Sequence, residues 1–157
     1  MAPHCDTMDG PVVTACKTAL KTGNVNYVLP FVPKDAEEAL SQAFNKVQKA
    51  RELGADAAEV ADTWFFETAV RLHREGEGAN YTGLKPAGLD WGPVVPLAEK
   101  DIEKEDPTDT IEFLKSVLEE NMLEKFRAAI SKKNYQLDDV DAARGYTEAM
   151  LHFVLSS

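Results

Sequence analysis

The sequence predicts an all-α protein built as a helical bundle of about six helices. Apolar residues recur at intervals of three and four in six segments of the chain, which is the spacing of one face of an α-helix. Aspartate, proline and glycine stand at the ends of these segments, where helices are expected to begin and end. No segment shows a clear strand pattern. A chain of 157 residues fits one core, so we expect a single helical domain over 1–157.

Three helices are predicted in the first half of the chain. Asp9, followed by glycine and proline, is expected to be the N-cap of a helix over about 10–22. Apolar residues then mark a second helix over about 36–53 and a third over about 56–75, which ends where the glycines of "REGEG" begin. The third helix contains "TWFFETAV" and carries the heaviest aromatic load of the three.

A glycine- and proline-rich segment, "GEGANYTGLKPAGLDWGP", separates the two halves. It lacks the Lys-Ser/Thr ending of a P-loop and carries glutamates, so it is not expected to bind phosphate. Tyr81, Leu84 and Trp91 are expected to anchor it. Three more helices are predicted beyond it, in "VVPLAEKDIEK", "DPTDTIEFLKSVLEENMLEKFRAAISKK" and "DDVDAARGYTEAMLHFVL". Asp106 is expected to cap the second of these, with Pro107 in its first turn.

The two halves, about 9–78 and 90–157, resemble each other. "DGPVV" in the first half is echoed by "WGPVV" in the second, and the same offset carries Phe44 onto Phe126. It also carries Glu37 and Glu38 onto Glu119 and Glu120, Ala61 onto Ala143, and Trp64 onto Tyr146. We therefore expect an internal repeat, with two three-helix halves related by a pseudo-twofold axis and their third helices side by side. The alternative is that similar helix-capping signals recur by chance.

Composition and net charge limit the classes of function that the protein is expected to have. The chain has 27 acidic and 17 basic residues, a formal net charge of −10, and most of its surface would repel phosphate backbones and anionic lipids. We therefore expect no nucleic acid and no membrane as partner, and leave open a metal ion, a small molecule or a second copy of the chain. No apolar run is long enough to span a bilayer, and the amino terminus has no signal-peptide pattern. Two cysteines are too few for a disulfide scaffold, which favours a cytoplasmic location.

Polar residues in the third helix of each half are candidate metal ligands. Glu148 and His152 are four residues apart on one helical face, the spacing by which a carboxylate and an imidazole can grip one ion. Glu67 and His73 are six residues apart, about 120° around the helix, and could share an ion only if the helix loosens. If the third helices face each other, Glu67 and Glu148 require a shared cation or a proton. The alternative is a set of ordinary surface residues in a salt-bridge network.

The opening stretch, "MAPHCDTMDGP", contains a second set of candidates. His4 and Cys5 are ligands with high affinity for zinc, iron, nickel or copper, and Asp6 could add an oxygen if the backbone curls around the ion. The positive end of the following helix also favours a thiolate, so a reactive or redox Cys5 is a second interpretation. In a third interpretation, Asp6 and Asp9 cap the helix while His4 and Cys5 only pack. Cys16 falls on the buried stripe of the first helix and is expected to pack as a small apolar residue.

Two long motifs carry a resemblance to known proteins. "HCDTMDGPVV" and "WFFETAVRLHREGEGANYTGLKPAG" resemble the signature of an uncharacterised, mainly prokaryotic family classed as a domain of unknown function. The resemblance spans most of the chain and implies one folded unit, but it carries over no activity and no catalytic residues.

A much weaker likeness is to nickel superoxide dismutase, a small helical-bundle enzyme whose mature chain begins with "HCD". Its nickel is held by the terminal amine, the histidine, backbone nitrogen and two cysteines. His4, Cys5 and Asp6 match that opening, but Met1–Pro3 precede them and the second cysteine ligand falls at Asp9. The resemblance therefore implies superoxide dismutation only with altered ligation or processing.

Two classes of function follow from these patterns. The first, which the sequence narrowly favours, is a metal-binding and redox protein with an N-terminal ligand set of His4, Cys5 and Asp6 and further ligands from the bundle. Its cofactor would be zinc, iron, nickel or copper. The second is a non-catalytic acidic interaction or stress-related domain in which the same residues cap and pack. The sequence does not decide whether the protein is an enzyme.

Overall fold

A computed structural model describes residues 4–156 of the chain. These residues contain six α-helices and no β-strand, which confirms the prediction of an all-α helical bundle. The helices are α1 (Pro11–Thr22), α2 (Glu37–Arg51), α3 (Ala55–Gly76), α4 (Val94–Lys104), α5 (Thr108–Ser131) and α6 (Val140–Val154). Four short 3-10 helices that the sequence did not indicate lie at His4–Asp6, Val25–Tyr27, Leu29–Phe31 and Lys34–Ala36. Within the described chain, no helix is long and apolar enough to cross a membrane.

The chain divides into two compact units, Met1–Asp90 and Trp91–Ser157, and the division falls in the glycine- and proline-rich segment. In the first unit, α3 packs against both α1 and α2. The apolar faces of these three helices and the segment between α1 and α2 form one buried core. The largest fully buried apolar side chains of the core are Phe65, Leu40, Val12, Val13, Val28, Val47 and Val70. Leu40, Val47, Phe65 and Val70 follow the helical spacing seen in the sequence, whereas Val28 lies between two 3-10 helices and carries no such signal.

The second unit buries far fewer residues than the first unit does. Here α5 packs against both α4 and α6, and among its described residues only Asp101, Ala129 and Ala149 are buried. Seven large apolar residues of α5 are more than a third exposed, namely Ile111, Leu114, Val117, Leu118, Leu123, Phe126 and Ile130. The second unit is thus a thin layer of three helices with a small core.

The packing of the helices gives the predicted internal repeat no support. The helix that contacts both others is the third of its unit in the first case, α3, and the second of its unit in the other, α5. Phe44 is buried, whereas Phe126, its counterpart at the same offset, is 44% exposed. The pseudo-twofold arrangement of the halves therefore stays a prediction.

The start of α1 corrects one detail of the sequence analysis. The N-cap of α1 is Gly10, which makes no side-chain hydrogen bond, and not Asp9. The Asp9 carboxylate instead accepts a hydrogen bond from the Gly88 backbone N–H at 2.7 Å. Gly88 lies in a loop 79 residues away in sequence, and local capping rules do not predict a partner at that distance.

Candidate functional site at the amino-terminal turn

The motif "HCD" forms a single 3-10 turn, His4–Asp6, packed on the start of α1. The Thr7 hydroxyl donates to the His4 carbonyl at 3.0 Å, and the Gly10 N–H donates to the Thr7 carbonyl at 3.0 Å. A Cβ atom at Gly10 would lie 2.4 Å from the His4 carbonyl oxygen, so only glycine fits there without movement. The backbone thus curls as the sequence analysis required, and the curl is held by its own hydrogen bonds.

The same turn is fastened to the glycine-rich segment that follows α3. The Lys85 N–H donates to the Asp6 carbonyl at 2.8 Å, and the Met8 N–H donates to the Lys85 carbonyl at 3.0 Å, which makes an isolated parallel bridge between Thr7 and Lys85. The hydrogen bond from the Gly88 N–H lowers the pKa of Asp9. The two ends of the first unit's sequence are therefore joined by backbone and side-chain bonds.

Beneath the turn lies a buried ion pair. The Arg74 Nε atom donates to Asp6 Oδ1 at 2.7 Å, and the two side chains are 5% and 2% exposed. Arg74 Nη1 also donates to Glu77 Oε2 at 2.8 Å. Burial lowers the pKa of Arg74, but the hydrogen bond to Asp6 and the charges of Asp6, Glu77 and Cys5 raise it above its ordinary value. The guanidinium stays charged and is held by two carboxylates.

Two buried donors close to this pair have no hydrogen-bond partner within residues 4–156. They are Arg74 Nη2 and the Tyr81 hydroxyl. Burial raises the pKa of the Tyr81 phenol, and the nearby negative charge of Glu67 adds to the rise. Tyr81 and Leu84 pack against the core of the first unit, as the sequence predicted for anchors of this segment. Buried polar atoms of this kind are uncommon in folded proteins and mark a place where a water molecule or another group belongs.

The two cysteines differ sharply in their surroundings. Cys5 is half-buried against the core and within electrostatic reach of Arg74. Cys16 is fully buried in α1, and burial raises the pKa of its thiol to about 12. The prediction that Cys16 packs as a small apolar residue is confirmed. No disulfide joins Cys5 and Cys16.

His73 is held by a carbonyl group of its own unit. Its Nδ1 atom lies 2.7 Å from the Phe31 carbonyl oxygen, which can only accept, so Nδ1 carries the proton of that bond. Its Nε2 atom is buried, lies 3.6 Å from Glu77 Oε1, and makes no hydrogen bond with any described residue. Glu77 thus stands between His73 and Arg74.

Comparison with known proteins adds a family and no activity. A family model described as "Family of unknown function (DUF6448)" matches residues 9–156. The chain belongs to this family. No curated protein and no solved structure matches the chain with significant similarity.

In this member of the family, the predicted ligands of the first unit, His4, Cys5, Asp6, Glu67 and His73, do not form a group of three that could hold a metal ion. Within residues 4–156, no three His, Cys, Asp or Glu side chains are close enough together to hold a metal ion. Asp6 is engaged by Arg74 and His73 by the Phe31 carbonyl, while Glu67 faces solvent. Metal binding by these residues therefore stays a prediction.

The two candidates of α6, Glu148 and His152, are exposed neighbours on one face of the helix. Their predicted common face is thus observed, but within the described chain they have no third ligand. The shared site that the sequence analysis placed between Glu67 and Glu148 joins residues of different units and stays a prediction.

Two residues of the site, Arg74 and Glu77, were missed from the sequence, and Tyr81 was predicted only as an anchor of the glycine-rich segment. One signal was available for Arg74, because it lies four residues after Val70 on the face of α3 that the apolar spacing marks as buried. An arginine on a buried face needs a carboxylate partner, and that partner lies elsewhere in the chain. No pattern in a single sequence identifies that partner as Asp6.

Proposed function

We propose that the protein is a non-catalytic, acidic binding domain in which the His4–Asp6 turn serves as a structural clasp. The ion pair between Asp6 and Arg74 carries the proposal. In this pair the carboxylate of the "HCD" motif binds the guanidinium of Arg74, and the contact holds the turn against α3. This favours the cap-and-pack interpretation of the motif over the metal-ligand interpretation.

The electrostatics of the turn support the same conclusion. The buried Arg74 charge already neutralises the Asp6 carboxylate, which makes that carboxylate a poorer partner for a divalent cation at His4 and Cys5. Using Asp6 as a ligand would leave the guanidinium with Glu77 alone and its buried Nε–H without a partner, and a buried donor without a partner costs about 1–3 kcal/mol. A metal site here would therefore have to replace a contact that already stabilises the fold.

The binding role is assigned to the second unit. A cavity of about 410 Å³ opens between the end of α4 and the start of α5, within the volume range of small-molecule sites. The first unit, with its larger core and its clasp, supplies the stable part of the chain.

Elemental analysis of protein purified without an affinity tag tests the proposal. We expect zinc, iron, nickel and copper well below one equivalent per chain, with no difference between the wild type, His4→Ala and Cys5→Ser. About one equivalent of one metal, lost in both variants, would overturn the clasp and restore the metal-binding hypothesis. Glu148→Gln is the matched control, because it removes a predicted ligand that is remote in sequence from the turn.

A reactive Cys5 thiol is a second candidate, favoured by one observation. Arg74, whose Nη2 atom has no hydrogen-bond partner among the described residues, lies within electrostatic reach of Cys5, and a neighbouring cation favours a thiolate. Alkylation with iodoacetamide near neutral pH tests it. A rate for Cys5 at least about tenfold above that of glutathione, unchanged by a chelator, supports a reactive thiol. A rate at or below that of glutathione excludes it.

A further inference from the structure

Helix α6 carries apolar residues on two opposite faces. On one face, Ala149 is buried, and Phe153 packs against Phe126 of α5 with the ring centroids 5.4 Å apart. On the opposite side of the helix, about 180° around from Ala149, lie Val140 and Leu151, which are both exposed. A helix on a protein surface normally has one apolar face, and a helix that is apolar on both sides is normally covered on both. The outer face of α6 therefore calls for a partner.

This outer face forms a shallow groove along the helix. In the described part of the chain, the wall of the groove belongs to α6 and its C-cap, Leu155, alone. Val140, Leu151 and Leu155 supply its apolar parts, and the smaller Ala143 and Thr147 lie between them. These residues recur at steps of three and four, which is the spacing at which two helices pair, and small side chains at a contact permit a short distance between the axes. The groove thus has the form of a helix-pairing surface.

The accessible surface of the chain is large enough to supply an interface. It measures 10634 Å². Two separate compact domains with the lengths of the two units would together expose about 9,400 Å², because the accessible surface of a folded domain scales with its mass to the power of about 0.73. The excess of about 1,200 Å² is larger than the roughly 600 Å² that each partner buries in a small but stable interface. The area that the chain leaves exposed is therefore sufficient for association with a second protein chain.

The charges on the outer face of α6 are complementary to themselves. Arg144 and Glu148 have opposite signs and stand four residues apart along the same edge of the groove. If two copies of α6 pair antiparallel about a point between Thr147 and Glu148, this edge of one copy meets the same edge of the other. Arg144 of each copy then lies about 4.5 Å along the helix axis from Glu148 of the other. Because the chain has a net charge of −10, two copies repel each other at long range, and attractive pairs at the contact are needed to offset this repulsion.

We propose that the outer face of α6 binds the same face of a second copy of the chain, and that the protein forms a twofold-symmetric dimer through an antiparallel pair of α6 helices. Val140 of one copy lies opposite Leu155 of the other, and Leu151 packs against the aliphatic part of Arg144. One helix pair makes an interface at the small end of the stable range, so we expect a reversible dimer with a Kd of about 1–100 µM. The proposal is independent of the clasp and of the cavity between α4 and α5.

Sedimentation equilibrium of the full chain without a tag tests the proposal. We expect the mass to rise with concentration from that of one chain toward that of two, and Leu155→Gln to weaken the dimer at least about tenfold. Leu53→Gln is the matched control, because Leu53 is 81% exposed, Leu155 is 79% exposed, and Leu53 lies just after a helix of the first unit. A chain that stays monomeric up to about 0.5 mM, well above the expected Kd, would mean that another occupant covers this face. That result, or equal dimerisation of the two variants, would overturn the proposal.

An exchange of charges provides a second test, which a loss of folding cannot imitate. Arg144→Glu and Glu148→Arg each place like charges across the contact, so each variant alone should dimerise at least about tenfold more weakly than the wild type. In an equimolar mixture, two acidic residues of one variant face two basic residues of the other, so mixed dimers should form at the same total concentration. Recovery in the mixture also shows that both variants are folded. Single variants that dimerise as the wild type does, or a mixture as monomeric as its components, would overturn the proposal.

Discussion

Asp6 and Arg74 are 68 residues apart in sequence and form a buried ion pair in which Arg74 Nε lies 2.7 Å from Asp6 Oδ1. The pair joins the turn before α1 to the last turns of α3. Removing one partner of a buried ion pair leaves an uncompensated charge, whereas replacing both partners with apolar residues is often tolerated. This asymmetry gives the clasp a characteristic signature in mutational data.

Asp6→Asn is expected to lower the free energy of unfolding by about 1–3 kcal/mol, because the buried Arg74 loses one of its two carboxylate partners and keeps only Glu77. Asp62→Asn is the matched control. It breaks an ion pair with Arg51 whose side chains are 26% and 35% exposed, so we expect a loss of about 1 kcal/mol or less. Urea denaturation measures both. The double variant Asp6→Leu/Arg74→Met should be more stable than Asp6→Asn, and equal losses in Asp6→Asn and Asp62→Asn would contradict the clasp.

Gly10→Ala is expected to destabilise the fold by about 1–3 kcal/mol, because the added Cβ lies 2.4 Å from the His4 carbonyl oxygen and forces the turn away from α1. Gly145→Ala is the control. Gly145 lies inside α6, where the nearest atom to an added Cβ is 4.0 Å away, so the better helix propensity of alanine should stabilise the fold by about 0.5–1 kcal/mol. Thermal unfolding measures both. If Gly10→Ala is as stable as the wild type, the turn is not packed as described.

The helices could be predicted from the sequence because their signals are local. Gly23 ends α1 in the left-handed conformation that glycine favours, and Asp139 caps α6 through a bond to the Ala142 N–H. The four 3-10 helices were missed, since a single turn is too short to carry a periodic pattern. Local signals also led to two errors. Asp9 is bonded to Gly88 and does not cap α1, and the N-cap of α5 is Pro107 and not Asp106, although Asp106 accepts a hydrogen bond from the Thr108 N–H.

The candidate site was predicted only in part, for a related reason. The sequence drew attention to His4, Cys5 and Asp6 as a chemical group, and the structure places them in one turn. The partner that decides the role of Asp6 is Arg74, and nothing local to either residue indicates the other. Long-range pairing of buried charges is a property of tertiary packing, which a single sequence does not encode in a periodic pattern.

Alkaline pH is expected to destabilise the protein through Cys16. Its thiol has an ordinary pKa of 9.0 in the unfolded chain and about 12 in the folded state. Between these values the unfolded state binds fewer protons, so stability falls as pH rises, by up to about 1.4 kcal/mol per pH unit. Urea denaturation at pH 8, 9.5 and 10.5 measures the slope. Cys16→Ala should reduce the slope and Cys5→Ala should keep it, and an unchanged slope in Cys16→Ala would contradict this assignment.

Acidic pH should loosen the contact between Asp9 and Gly88. The folded-state pKa of Asp9 lies below its ordinary value of 3.8, because the Gly88 N–H binds the charged carboxylate. The contact therefore contributes stability above pH 3.8 and loses it as pH falls through the folded-state pKa. We expect Asp9→Asn to differ from the wild type at pH 6 and to converge with it near pH 2. Unfolding curves at both values test this, and a difference that persists undiminished at pH 2 would exclude it.

We propose that the amino-terminal turn fastens the glycine-rich segment to α1 and α3 without a metal ion. The Lys85 amide reports on it directly, since it donates to the Asp6 carbonyl. Its hydrogen exchange should be unaffected by a chelator in the wild type and at least about tenfold faster in Asp6→Asn, while the core amide of Val47 changes less. An exchange rate at Lys85 that is unchanged in Asp6→Asn but accelerated by the chelator would contradict the account.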